Sequence, residues 1–156
     1  MMMEKKTVDY SLPEIADVAG QVWEILKDTK VVVLKGEMGA GKTTFVSAMA
    51  RYLGCVDEVS SPTFAIVNEY AAANGKSRIL HLDLYRIDDL NELIDMGMED
   101  LLESNYDVMF IEWPQLAAPF LPAGTLQVQL EKTGVDTRHL EITPYDFENP
   151  VLLSES

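Results

Sequence analysis

Nine residues, GEMGAGKTT at positions 36–44, follow directly on the apolar run VVVLK. Gly36, Gly41, Lys42 and Thr43 fall in the spacing Gly-x-x-x-x-Gly-Lys-Thr, the Walker A pattern of phosphate-binding loops. Each residue type has a chemical task. Glycines adopt backbone conformations closed to other residues and let successive N–H groups converge on phosphate oxygens. A helix beginning near Lys42 adds the positive end of its dipole to the same anion. The Lys42 ammonium would neutralise β- and γ-phosphate charge, and the Thr43 hydroxyl would ligate Mg2+. Glu37, Met38, Gly39, Ala40 and Thr44 complete the cradle. The alternative is a plain glycine-rich turn; a buried strand before it and a helix after it favour a nucleotide.

Such a loop also needs an acid at the end of a neighbouring buried strand, to hold the cation or its waters. Two acids qualify. ILHLD closes on Asp83 and VMFIE closes on Glu112. One could sit near the metal while the other positions an attacking water. His81 stands two residues before Asp83, so a strand puts both on one face. The other histidine, His139, is far away in sequence, which argues against a histidine metal site and for His81 as a hydrogen-bonding group. Arg86 could act as an arginine finger or simply form a surface ion pair. Trp113 could belong to the core or wall the nucleotide site.

The elements that must position these groups follow from periodicity. SLPE at residues 11–14 has capping-box spacing, and Ile15, Val18, Ala19, Val22 and Leu26 then recur at helical intervals. VVVL and VMFIEW read as strands buried on both faces. Residues 42–53 read as a helix closed by Gly54. TFAIVNEY and RILHLDLY read as strands joined across an Asn-Gly turn. Residues 88–102 read as a helix weakened at Gly97. LQVQLE and RHLEIT flank KTGVD as a closing antiparallel hairpin. Alternating strands and helices predict one α/β domain spanning residues 1–156, with a core at about 7–143 and a patternless tail that could be disordered.

Composition narrows the setting. At 156 residues the chain can bury about 70% of the surface of its unfolded form. No apolar run approaches the ~20 residues of a membrane helix, and MMMEKK is followed by no apolar signal core. A single cysteine, Cys55, excludes an internal disulfide and reads as a small packing residue. A cytoplasmic protein is expected. Twenty-six acids against twelve bases give a charge of −14. A surface of that sign repels nucleic-acid phosphates and anionic membranes. Any RNA in its biology would be bound by a more basic partner.

The segments GEMGAGKTTF, SSPTFAIVNEY, LHLDLYR and IEWPQ occur in the order, and at about the spacing, seen in one family. Over residues 11–143 the chain resembles the TsaE (YjeE) family, small bacterial ATPases required to form threonylcarbamoyladenosine in tRNA. The resemblance implies a P-loop NTPase three-layer sandwich, with a central mostly parallel sheet and additional antiparallel strands. It implies that Lys42 and Thr43 bind ATP and Mg2+, that Glu112 takes the acidic metal position, and that Asp83 acts near the hydrolytic water. Thr63, in SPTF, would sense the γ-phosphate from a loop resembling a GTPase switch, and Arg138 would contact the nucleotide. The implied partners are TsaD and TsaB, with tRNA reached through them and no membrane. ATP hydrolysis would support turnover of that complex rather than transfer the modifying group.

Two other classes share the cradle. A small-molecule kinase commonly needs an arginine-bearing lid, yet Arg51, Arg78, Arg86 and Arg138 are gathered in no one segment. A nucleotide-gated binding module with negligible turnover would differ only in its chemistry. A GTPase is disfavoured because no Asn-Lys-x-Asp motif is present.

Overall fold

The structure is a computed structural model that describes residues 4–37, 39–55, 57–60, 67–74, 76–84 and 87–147, the 57–60 segment through its backbone alone. Its strands are β1 (Lys6–Ser11), β2 (Val31–Lys35), β3 (Asp57–Ser60), β4 (Val67–Ala71), β5 (Arg78–Asp83), β6 (Val108–Glu112), β7 (Leu126–Lys132) and β8 (Thr137–Pro144). Its helices are α1 (Ile15–Leu26), α2 (Lys42–Tyr52), α3 (Leu90–Asp95) and α4 (Met98–Glu103). The strands form one sheet in the order β1-β8-β7-β2-β6-β5-β4-β3. The four central strands β7, β2, β6 and β5 run parallel. Antiparallel pairs extend the sheet on both sides, β8 and β1 beyond β7, β4 and β3 beyond β5.

The uninterrupted apolar strands are explained by burial on two faces. Along β2 every residue is buried. Val32 and Leu34 pack with Val22, Leu26, Phe45 and Met49 beneath α1 and α2. Val31 and Val33 pack with Leu93, Met98 and Ala117 on the opposite face. Helices on both faces of the sheet make the three layers expected of a P-loop fold. Helix α1 buries Val18, Ala19, Val22 and Leu26, the apolar stripe visible in the sequence. Ahead of it, a 3-10 turn over Leu12–Glu14 is closed by Glu14 Oε1, which accepts from Ser11 N–H and Ser11 Oγ–H, each at 2.8 Å.

Several elements differ from the sequence expectation. Residues 88–102 do not form one helix: Gly97 takes a left-handed conformation (φ 84°), which ends α3 and begins α4. Glycine reaches that region without the steric cost other residues meet. β1 has no counterpart in the sequence expectation, because only Tyr10 of its six residues is buried and its pattern is that of an edge. Of TFAIVNEY, the described part enters β4; residues 61–66, and Tyr85 and Arg86, lie outside the described residues. Tyr145, placed in the patternless tail, is buried against the α3–α4 face, and its N–H donates to Thr125 O at 2.9 Å. Cys55 is fully buried, as a packing residue should be.

The edge pair β1–β8 carries a pH-sensitive contact. His139 Nδ1 lies 2.6 Å from Asp9 Oδ1, and Nε2 lies 3.3 Å from Glu141 Oε1. Hydrogen bonds to Asp9 and then Glu141 hold the imidazole above the ordinary histidine value of 6.5. A raised folded-state value stabilises the fold fully below 6.5, and that contribution is lost as pH climbs through the higher folded value. Urea midpoints should therefore fall on that climb in wild type and fall less in His139→Gln. Equal slopes in both proteins would contradict this.

Candidate functional site

Where β2 ends, Gly36 leaves the sheet at φ 155° with Leu130 O so close that a Cβ would stand 2.7 Å from it. Ala40 N–H donates to Glu37 O at 2.9 Å, turning the loop back, and Gly39 (φ 85°) and Gly41 (φ 102°) both need left-handed backbone. Gly41 is the N-cap of α2, so the helix begins at Lys42 as the motif requires. Met38 lies outside the described residues. Gly36→Ala should lower stability by about 1–3 kcal/mol, because neither the backbone carbonyl nor the φ angle can yield cheaply. An unchanged urea midpoint would refute that packing argument.

Helix α2 is seated by its own core residues. Phe45, within a turn of Lys42, meets Phe110 edge to face, with centroids 5.8 Å apart and planes at 80°. Burying a phenylalanine fully stabilises by about 1.5–3 kcal/mol. Phe110 and Glu112 share one face of β6, since side chains alternate along a strand. The packing that fixes the start of α2 thus also fixes the distance from Lys42 to Glu112.

That distance is short. Lys42 Nζ lies 3.0 Å from Glu112 Oε1 and donates to Gly36 O at 2.6 Å. Glu112 Oε2 lies 2.6 Å from His81 Nε2. Burial pushes the Glu112 carboxyl up, but His81 and then Lys42 outweigh it and hold the group below the usual carboxylate range. Asp83 is opposite Glu112 in the parallel β5–β6 register and is exposed, so the two strand-end acids stand side by side with different environments.

Lys42, Asp83 and Glu112 line one cleft of about 660 Å³, within the size range of small-molecule sites. Thr43 and Thr44 contribute the first turn of α2, Asp83 and Glu112 the strand ends, and Leu12 and Trp113 apolar surface. Trp113 therefore walls the cleft, and it does so with a left-handed backbone (φ 56°), a strained geometry for a non-glycine residue. Arg138 joins the P-loop to the β7–β8 turn. Its Nε–H donates to Ala40 O at 3.0 Å and its Nη1 donates to Thr137 O at 2.8 Å and Gly134 O at 3.1 Å. The family resemblance implies a nucleotide contact for Arg138; its bonds to backbone carbonyls also make it a brace between the loop and the turn. A second cleft of about 640 Å³ opens at the opposite end of β2, where Lys30 sits over the Tyr106 ring at 4.9 Å, and it contains no part of the phosphate loop.

Of the residues singled out from sequence, the structure brings Lys42, Thr43, Thr44, Asp83, Glu112 and Arg138 to one cleft with Gly39 and Gly41. Gly36, Glu37 and Ala40 shape its loop. Thr63 lies outside the described residues. Among the described residues no group of three or more His, Cys, Asp or Glu could hold a metal by itself. A Mg2+ site of one carboxylate and a hydroxyl, completed by phosphate and water, needs no such cage. The donors present therefore fit Mg2+ carried with a nucleotide. No helix among the described residues is long and apolar enough to cross a membrane.

A strand, a glycine loop and a helix whose first lysine faces the acid of an adjacent parallel strand define a P-loop nucleotide-binding protein. A family profile described as threonylcarbamoyl adenosine biosynthesis protein TsaE matches residues 10–140, and the chain belongs to that family. The tRNA threonylcarbamoyladenosine biosynthesis protein TsaE of Bacillus subtilis is 37% identical over 129 residues, covering 83% of this chain and 78% of that protein. The TsaE protein of Rickettsia bellii is 31% identical over 144 residues, covering 91% and 96%. A crystal structure of Bacillus subtilis YdiB superposes with a TM-score of 0.60 at 25% identity, covering 97% of this chain and 93% of that one.

Proposed function

We propose that the chain binds ATP with Mg2+ and hydrolyses it in support of tRNA threonylcarbamoyladenosine formation by TsaB and TsaD, in the cytoplasm. The observation that carries this reading is the placement of Lys42 between the loop carbonyl of Gly36 and the Glu112 carboxylate, in the same cleft as Asp83. The name shared by the relatives supplies the biological setting.

In this account the loop N–H groups and Lys42 bind phosphate, and Thr43 with Glu112 holds the cation. Bound Mg2+ would supply charge neutralisation at the phosphates. Asp83, exposed at the mouth, orients a water and accepts its proton. Trp113 and Leu12 limit access of bulk water, and Arg138 holds the loop and the β7–β8 turn around the nucleotide. Thr63 senses the terminal phosphate, which would couple nucleotide state to partner contact. A surface charge of −14 suits a subunit that meets tRNA through other proteins.

Phosphate release from ATP tests the reading, measured for the chain alone and then with TsaB and TsaD. Slow release that rises when both partners are added is the expected result. Release unaffected by them would argue against the assembly role.

A further inference from the structure

His81 is 5% exposed, and its ring is directed at the acid that faces the phosphate-loop lysine. Three contacts form one line from β5 to the loop: His81 to Glu112 at 2.6 Å, Glu112 to Lys42 at 3.0 Å, and Lys42 to Gly36 O at 2.6 Å. An ionised carboxylate offers acceptors only, so Nε2–H is the donor to Oε2. The terminal torsion of a glutamate is broad and roughly two-fold, so the Glu112 backbone does not decide which way its oxygens point. The ring beside it does. His81 is held in register against Phe110 on β6, and its Nδ1 is buried with no hydrogen-bond partner among the described residues. A buried, unsatisfied nitrogen costs stability, which favours a purpose at Nε2 over mere packing.

We propose that His81 is a positioning residue for Glu112: its Nε2–H holds one carboxylate oxygen so that the other stays toward Lys42 and the cation position. The proposal rests on the reading of Glu112 as the acid of the Mg2+–nucleotide site. Without the clamp, the carboxylate turns and takes Lys42 with both oxygens. That turns the metal-facing oxygen away from the cation position.

The test uses the full chain and the non-hydrolysable analogue AMP-PNP, with binding followed by calorimetry as Mg2+ is varied. Glutamine carries its amide nitrogen near the position of imidazole Nε2, whereas asparagine carries it near Nδ1. His81→Leu and His81→Asn should raise the Mg2+ concentration for half-maximal coupling by about 10–100-fold, the range for lost partners of metal ligands. His81→Gln should restore most of it. In steady-state hydrolysis, kcat should fall in Leu and Asn while KM for ATP at saturating Mg2+ changes little. Melting temperatures identify any unfolded variant, and if Leu fails to fold the Gln–Asn pair still decides. Equal shifts for Gln and Leu, or no shift in either, would overturn the proposal. A wild type that binds the analogue with Mg2+ dependence but releases no phosphate would refute hydrolysis and leave the clamp standing. Binding indifferent to Mg2+ would refute both.

Discussion

Lys42→Ala should weaken ATP binding about 100-fold. Two losses act in the same direction. A hydrogen bond from a charged donor is worth about 1.5–3 kcal/mol, so removing the amine at its full value costs roughly two decades of affinity. The Glu112 carboxylate, now without the cation 3.0 Å away, also repels the incoming phosphates. Folding should suffer less than binding, because Glu112 keeps His81 at 2.6 Å. Calorimetry with ATP and Mg2+ reads the first effect and urea unfolding the second. Unchanged affinity would remove the cleft from consideration as the nucleotide site.

Glu112→Gln should lower hydrolysis by about 100-fold or more, the size of effect seen when one group acting electrostatically on a transition state is removed. The same change should strengthen nucleotide binding in the absence of Mg2+. The neutral amide no longer competes with phosphate for Lys42 and no longer repels it. These opposite signs separate a role in turnover from general damage. Stability should shift in a defined way with pH. The depressed carboxyl of Glu112 contributes stability above its ordinary value of 4.5, and that contribution is lost as pH falls through the lower folded value. Glu112→Gln should therefore flatten the acid limb of the stability curve. Asp83→Asn should impair turnover with less effect on folding, since Asp83 is exposed. Normal hydrolysis by both amides in the presence of TsaB and TsaD would make the assigned roles wrong.

The parts readable from sequence are those whose local pattern has one physical solution. VVVL and VMFI are apolar at every position, which a strand covered on both faces explains. The phosphate loop is readable because its glycines and Lys42 have chemistry that packing does not demand. The β7–β8 hairpin alternates clearly enough to be placed. The misses have physical causes as well. β1 buries Tyr10 and little else, so it is held by its antiparallel ladder to β8, a partner distant in sequence. The break at Gly97 and the left-handed Trp113 depend on backbone angles that residue type only hints at. In the site, the strand-end position of Glu112 could be foreseen, but its simultaneous contact with His81 and Lys42 could not. That contact depends on the register of β5 against β6 and on Phe45 seating α2 upon Phe110. Arg138 shows the same limit. Its basic character was visible, while its bonds to Ala40, Gly134 and Thr137 carbonyls required the hairpin to fold over the loop.

The central claim is that ATP hydrolysis in this cleft sustains repeated rounds by TsaB and TsaD. It is tested most directly by counting threonylcarbamoyladenosine residues formed per TsaB–TsaD complex, with the threonylcarbamoyl donor in excess. With the wild-type chain and ATP the count should rise through many rounds. With Lys42→Ala, or with AMP-PNP in place of ATP, it should stall early. The same number of rounds under all three conditions would contradict the account.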